Sequence, residues 1–177
     1  MRDPRGVTII EMMIVLAISS VSFLAVAQIL RTSQNAIEIT AVQSDLEART
    51  IDISDRIVND FKDALISSIS PNATSQSSTI TFSRVIGYTN APVLSSPITY
   101  ESVLLNGKLC LRRTEGADIA ILTDALTVNG LKFNRDSTVS TNDVWIFQVG
   151  LQRDYSASDS TKQAYVVSHN TKVQMKF

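Results

Sequence analysis

The stretch that decides the fold is Val7-Thr8-Ile9-Ile10-Glu11-Met12-Met13-Ile14-Val15-Leu16-Ala17-Ile18, which runs on without interruption to Leu30. No charged residue occurs between Met12 and Leu30, and neither Gly nor Pro occurs from Val7 through Ser70. As a helix, residues 7–30 extend about 36 Å, enough to cross a hydrocarbon layer of about 30 Å with some tilt. The segment therefore reads as a transmembrane helix rather than a buried core helix. Arg2 and Arg5 precede it, with Asp3 as the only opposing charge. The positive-inside rule then places residues 1–6 in the cytoplasm and the long C-terminal part outside. A secretory signal peptide would be cut after its apolar core, beside small residues. This apolar stretch is longer than such a core and passes straight into a helical pattern, with no evident place for that cut.

Glu11 is the odd residue. A carboxylate at the centre of a membrane helix costs about 2.5–3.5 kcal/mol on insertion scales, and less near the helix end. Either it snorkels to the interface, or it has a cationic partner within the membrane.

The run Gly6-Val7-Thr8-Ile9-Ile10-Glu11, behind a short basic leader and ahead of an uninterrupted apolar helix, resembles the processing site of type IV pilins and type II secretion pseudopilins. Gly6 matches the residue before the cut, Thr8 the second mature residue and Glu11 the fifth; Val7 departs from the phenylalanine usual in the family. The resemblance implies a leader peptide of residues 1–6. It implies that a prepilin peptidase cuts between Gly6 and Val7 and methylates the new Val7 amine. It also implies an assembly contact, in which the Val7 amine of one subunit meets Glu11 of its neighbour in a filament. Such a pair neutralises both charges in a low-dielectric core, and removing one side leaves the other buried and uncompensated.

Beyond Arg31, apolar residues fall at Ile39, Val42, Leu46, Ile53, Ile57, Phe61 and Leu65, a single helical face. Glu38, Asp45, Glu47, Arg49, Asp52, Asp55, Arg56, Asp60, Lys62 and Asp63 fill the rest and read as a solvated face. Residues 31–70 are thus expected to continue the helix amphipathically, with Pro71 disfavouring helix at Ser70 and a break near Arg31–Asn35 left open.

Residues 71–177 are expected to form a β-rich globular domain. Thr79–Phe82 and Ile98–Leu104 read as strands. Asn106-Gly107 is a type I′ hairpin signal, with Lys108–Arg112 as the return strand. Asp118–Leu126 is open between loop and short helix. Further strands are expected at Val128–Phe133, Val144–Gln152, Ala164–Ser168 and Lys172–Phe177. His169-Asn170 is read as a turn, and residues 134–142 and 154–161 as polar loops. The fold class is α+β: a long N-terminal helix packed on an antiparallel, pilin-like sheet domain. Ile57-Val58-Asn59-Asp60-Phe61-Lys62-Asp63-Ala64, Tyr100, Asn106-Gly107-Lys108-Leu109, Arg112, Leu122-Thr123-Asp124 and Leu131-Lys132-Phe133 resemble, more loosely, the J-type pseudopilins and W-type minor pilins. That likeness implies a minor subunit near a filament tip.

The composition leaves little room for other chemistry. A net charge of −1 gives no general case for nucleic-acid binding. One cysteine, Cys110, excludes an internal disulfide framework, and one histidine, His169, argues against zinc. Cys110 reads as a small buried hydrophobe, and Arg112-Arg113 as a surface pair. Asp154, Ser156, Ser158 and Asp159 are candidate calcium oxygens without a glycine-anchored loop. No catalytic residue, metal or cofactor is expected.

The function expected is that of a non-enzymatic minor pilin or pseudopilin. It would help initiate or cap a type IV pilus-like or type II secretion pseudopilus filament, with a filament-mounted adhesin or ligand-binding module as the alternative. The implied partners are other pilins or pseudopilins of that filament, the prepilin peptidase, the inner-membrane assembly platform and the membrane itself, with no nucleic acid. The implied location is the inner membrane, single-pass, with the C-terminal domain outside, and afterwards the filament, cell surface or periplasm.

Overall fold

A computed structural model describes residues 8–72, 75–136, 144–156 and 162–174. Helix α1, Ile9–Lys62, is continuous over 54 residues, with no break near Arg31–Asn35. At 1.5 Å per residue it is about 81 Å long. Its first half touches nothing: every side chain from Thr8 to Gln34 is exposed. Burial begins in the second half, where Leu46, Ile53, Ile57 and Phe61, with Thr50, Ser54 and Asp60, form the face laid on the domain.

The helix stops at Lys62, eight residues short of the end expected from Pro71. Tertiary pairing ends it. Ala64 bridges Arg84, the Leu65 N–H donates to the Ser83 carbonyl at 3.0 Å, and the Val85 N–H donates to the Asp63 carbonyl at 2.8 Å. These bonds occupy the groups that further helix would need. A single 3-10 turn, Ile66–Ser68, follows.

The described residues then form nine strands, all paired antiparallel: β1 Thr79–Phe82, β2 Val85–Tyr88, β3 Pro92–Leu94, β4 Ile98–Leu105, β5 Lys108–Glu115, β6 Asp118–Thr123, β7 Leu126–Arg135, β8 Val144–Ser156 and β9 Lys162–Gln174. One sheet has the order β1-β4-β5-β6, a second β7-β8-β9, and β2-β3 is a separate hairpin. The fold is α+β, a long N-terminal apolar helix followed by antiparallel sheets, as expected. The β4–β5 turn has Asn106 at φ 51° and Gly107 at φ 78°, the left-handed pair that a type I′ turn demands.

Four local expectations are corrected. Asp118–Thr123 is a strand, not a loop or helix. His169 and Asn170 are not a turn but pair in register with Val149 and Gln148 inside an unbroken β9. Both are exposed, and an open strand face accepts polar side chains that resemble turn residues in sequence. Strand β8 runs on to Ser156, beyond the expected end at Gln152. The β2–β3 hairpin had no counterpart among the expected strands.

The core lies between α1 and the inner faces of the two larger sheets. Leu46, Ile53, Ile57 and Phe61 meet Ile80, Phe82, Ile98, Tyr100, Leu111, Leu131, Phe133, Trp145, Phe147, Val149, Leu151 and Val173. Phe61 pins the helix end, edge-on to Phe82 at 4.6 Å and to Trp145 at 5.7 Å between ring centroids, a favoured aromatic geometry.

Candidate functional site

The first candidate site is the start of α1. Gly6 and Val7 lie outside the described residues. Thr8 is the helix N-cap in extended conformation, and with Glu11 it closes a capping box. The Glu11 N–H donates to Thr8 Oγ1 at 3.2 Å. Glu11 Oε2 accepts from the Thr8 N–H at 2.8 Å and from Thr8 Oγ1 at 3.0 Å. The carboxylate thus folds back on its own helix end, where unpaired N–H groups and the helix dipole favour negative charge. Sequence reasoning sought a cation for Glu11 and overlooked this local partner. The signal was present, since Thr-x-x-Glu before an apolar run is the capping-box pattern.

Polar residues further along are also satisfied within the helix. Ser20 Oγ donates to the Ala17 carbonyl at 2.8 Å, and Thr32 Oγ1 to the Gln28 carbonyl at 3.0 Å. A helix that answers its own polar groups can lie in lipid. This is the one helix among the described residues long and apolar enough to cross a membrane, and its apolar window has none of its surface buried in the domain.

The second cluster joins the other end of α1 to the sheet. Asp60 was expected on the solvated face and Arg113 in a surface pair; both are buried, at 7% and 8% exposure. Asp60 Oδ2 accepts from the Tyr100 hydroxyl at 2.6 Å and from Arg113 Nε at 2.7 Å, and Oδ1 from Arg84 Nη1 at 3.1 Å. Glu115 accepts from Arg84 Nη2 at 2.7 Å and from Arg113 Nη2 at 2.6 Å. Two acids and two guanidiniums make the cluster neutral. Burial and the neighbouring Asp60 carboxylate raise the Tyr100 hydroxyl above its ordinary range. Burial opposes the Arg113 charge, but hydrogen bonds to Asp60 and Glu115 outweigh it and hold the guanidinium more firmly protonated. With no nucleophile and every carboxylate engaged, the cluster fastens helix to sheet. Arg112, beside it in sequence, points the other way and pairs with Glu101 at 2.7 Å.

Cys110 is buried in β5, as expected. Among the described residues no group of three His, Cys, Asp or Glu side chains could hold a metal. Of the candidate calcium oxygens, Asp154 is exposed, and Ser158, Asp159 and the Ser156 side chain lie outside what is described. An open groove of about 580 Å³ runs between the β4–β5 turn and β7–β8, lined by Leu104, Lys108, Asp124, Leu126, Gln152 and Arg153. Three of its charged side chains are held in surface ion pairs: Lys108 with Asp124, and Arg153 with Asp45, which lies outside the groove, each at 2.9 Å.

No curated protein and no solved structure matches the chain. Residues 1–27 match the family model described as the prokaryotic N-terminal methylation motif. The match covers residues 1–6 and the apolar start of α1, and it supports likeness to type IV pilins, a structural kind of protein, and fits an inner-membrane anchor.

Proposed function

We propose that this chain is a minor pilin or pseudopilin of the J-type or W-type kind, a structural subunit that helps initiate or cap a type IV pilus-like or type II secretion pseudopilus filament. The observation that carries this reading is the methylation motif on a helix whose apolar half is wholly unburied in the single chain. Such a surface needs lipid before assembly and neighbouring helices after it. Residues 1–6 are the leader, the cut falls between Gly6 and Val7, and the Val7 amine is methylated. The processed amine then meets Glu11 of an adjoining subunit, drawing that carboxylate from its intrachain contact with Thr8.

Intact-mass and N-terminal peptide analysis of membrane-derived protein tests this. The expected chain begins at methylated Val7. Gly6→Val is expected to block the cut, because a side chain there crowds the peptidase site. A leader still attached in cells with active peptidase overturns the reading.

A further inference from the structure

Beyond the membrane half, α1 carries a second apolar line. Ile37, Ala41, Ser44, Ala48 and Ile51 follow one another in alternating steps of four and three residues, with no charge among them. Ser44 and Ala48 each stand two residues from the buried Leu46, and Ile51 stands two from the buried Ile53. Two residues are about 200° of helical turn, so the line faces away from the domain. All five residues are exposed, Ile37 at 69% and Ile51 at 51%. A shallow hollow of about 440 Å³ on the line is bounded by Ala36, Ile37, Thr40, Ala41 and Ser44. Leu30 and Gln34 carry the same spacing back toward the N-terminus, so the line is continuous with the apolar membrane surface. Alternating steps of three and four make the seam of two helices wound at a shallow left-handed angle, and small residues between the isoleucines let the backbones come close. The occupant such a seam fits is a second helix, parallel because both helices rise from the same membrane.

The rows beside the seam decide which helix. On one side the flanking positions are all acids, Glu38, Asp45 and Asp52, one in each heptad. On the other side stand Thr40 and Glu47. Asp45 is held within the chain by Arg49 at 3.1 Å and Arg153 at 2.9 Å, whereas Glu38 and Asp52 make no ion pair among the described residues. Arg49 and Arg56 lie one row further from the seam. In a parallel pair, the row on one side of a helix meets the opposite-side row of its partner. A second copy of this chain brings Glu47 against the acid row at any stagger of a few residues and offers no base there. Repulsion of that kind excludes wrong partners as effectively as attraction recruits the right one. A helix with Lys or Arg in the facing rows meets opposite charge instead. The seam therefore disfavours the chain's own copy, as suits a subunit that starts or caps a filament rather than repeating along it.

We propose that residues 37–51 dock a parallel helix of a different pilin subunit that carries Lys or Arg in the facing rows, with Glu38, Asp45 and Asp52 as the residues that select it, a pairing that rests on the filament reading. Two measurements on the full-length protein in cells test it. Glu38→Lys together with Asp52→Lys is expected to lose co-purification with other pilins at equal membrane level, whereas Glu38→Asp with Asp52→Glu keeps it. Both positions are exposed and lie outside the core, and urea midpoints of the purified variants confirm that the domain is intact. The second measurement reads self-pairing through Ser44→Cys or, one layer on, Ala48→Cys, with the buried Cys110 as background. Unaltered rows are expected to give little disulfide-linked dimer, and Thr40→Lys with Glu47→Lys, which sets bases against the acid row, is expected to produce a strong band at twice the subunit mass. Co-purification unchanged by the two lysines overturns the proposal. So does a dimer band as strong with unaltered rows as with the lysine rows, or no band from the lysine rows at either cysteine. Maturation at Val7 and the sheared filament fraction are read from the same cells. Mature chain that still enters filaments undiminished with Lys at 38 and 52 sinks the helix pairing and leaves the filament reading standing. An unaltered chain that keeps its leader and never enters filaments sinks both.

Discussion

Asp60 lies three residues after Ile57 and beside Phe61, so the helical step turns it toward the flank of the apolar face rather than to the solvent. Its carboxylate neutralises Arg113 where water cannot. Asp60→Ala is expected to destabilise the domain by about 3–5 kcal/mol, because a buried guanidinium loses its main counter-charge. Tyr100→Phe removes one hydrogen bond to a charged group and is expected to cost about 1.5–3 kcal/mol. Urea unfolding of both variants checks the order. Glu115 is held below the ordinary carboxylate range by the Arg113 hydrogen bond, against a burial effect and with help from Arg84. Its folded-state value is therefore lower than its unfolded value. The stabilisation is full above the unfolded value of about 4.3 and is lost as pH falls through the folded one. Glu115→Gln is expected to lower stability at neutral pH and to flatten its decline below about pH 4, measured as urea midpoints across pH. At the membrane end, Glu11→Ala is expected to leave the domain folded and membrane insertion unimpaired. Co-purification with other pilins at equal membrane level should fall; unchanged co-purification removes the residue from assembly.

At the scale of elements, α1 is two helices in one. Its capping box starts it, the absence of Gly and Pro carries it through, and strand-like bonds from Ser83 and Val85 stop it. The stretch from Arg31 to Ser44 has no fully buried side chain, whereas Leu46 to Phe61 presents seven. Hydrogen exchange should separate them, since local opening follows the contacts that must be broken. Amides of residues 31–44 are expected to exchange fast and those of 50–61 near the rate of global unfolding. Uniform protection along the helix contradicts this division. Phe61→Ala, which removes the ring between Phe82 and Trp145, is expected to cost about 3–5 kcal/mol.

At the scale of the whole molecule, every member of the hydrophobic core lies at or beyond Leu46. A fragment of residues 31–177 therefore keeps its core and sheds the apolar surface of residues 8–30. It is expected to be soluble and monomeric or weakly associating, and its circular dichroism to show helix and sheet together. A nearly all-helical spectrum, or aggregation equal to that of the full chain, refutes this division of labour.

What was legible in the sequence followed from local rules. An unbroken apolar run with one carboxylate, an Asn-Gly turn and short alternating strands each depend on neighbours within a few residues. The membrane helix, the α+β class and the β4–β5 hairpin could be read from those alone. The helix end at Lys62, the burial of Asp60 and Arg113, and the strand at Asp118–Thr123 could not. The first two depend on partners distant in the chain: Ser83 and Val85 for the helix end, Tyr100 and Arg84 for the acid; the strand is the return arm of a tight turn at Gly116, where φ is 59°, and pairs with the adjacent β5. A charge on a helix looks the same in sequence whether water or a guanidinium answers it. Only the packing of sheet against helix decided which.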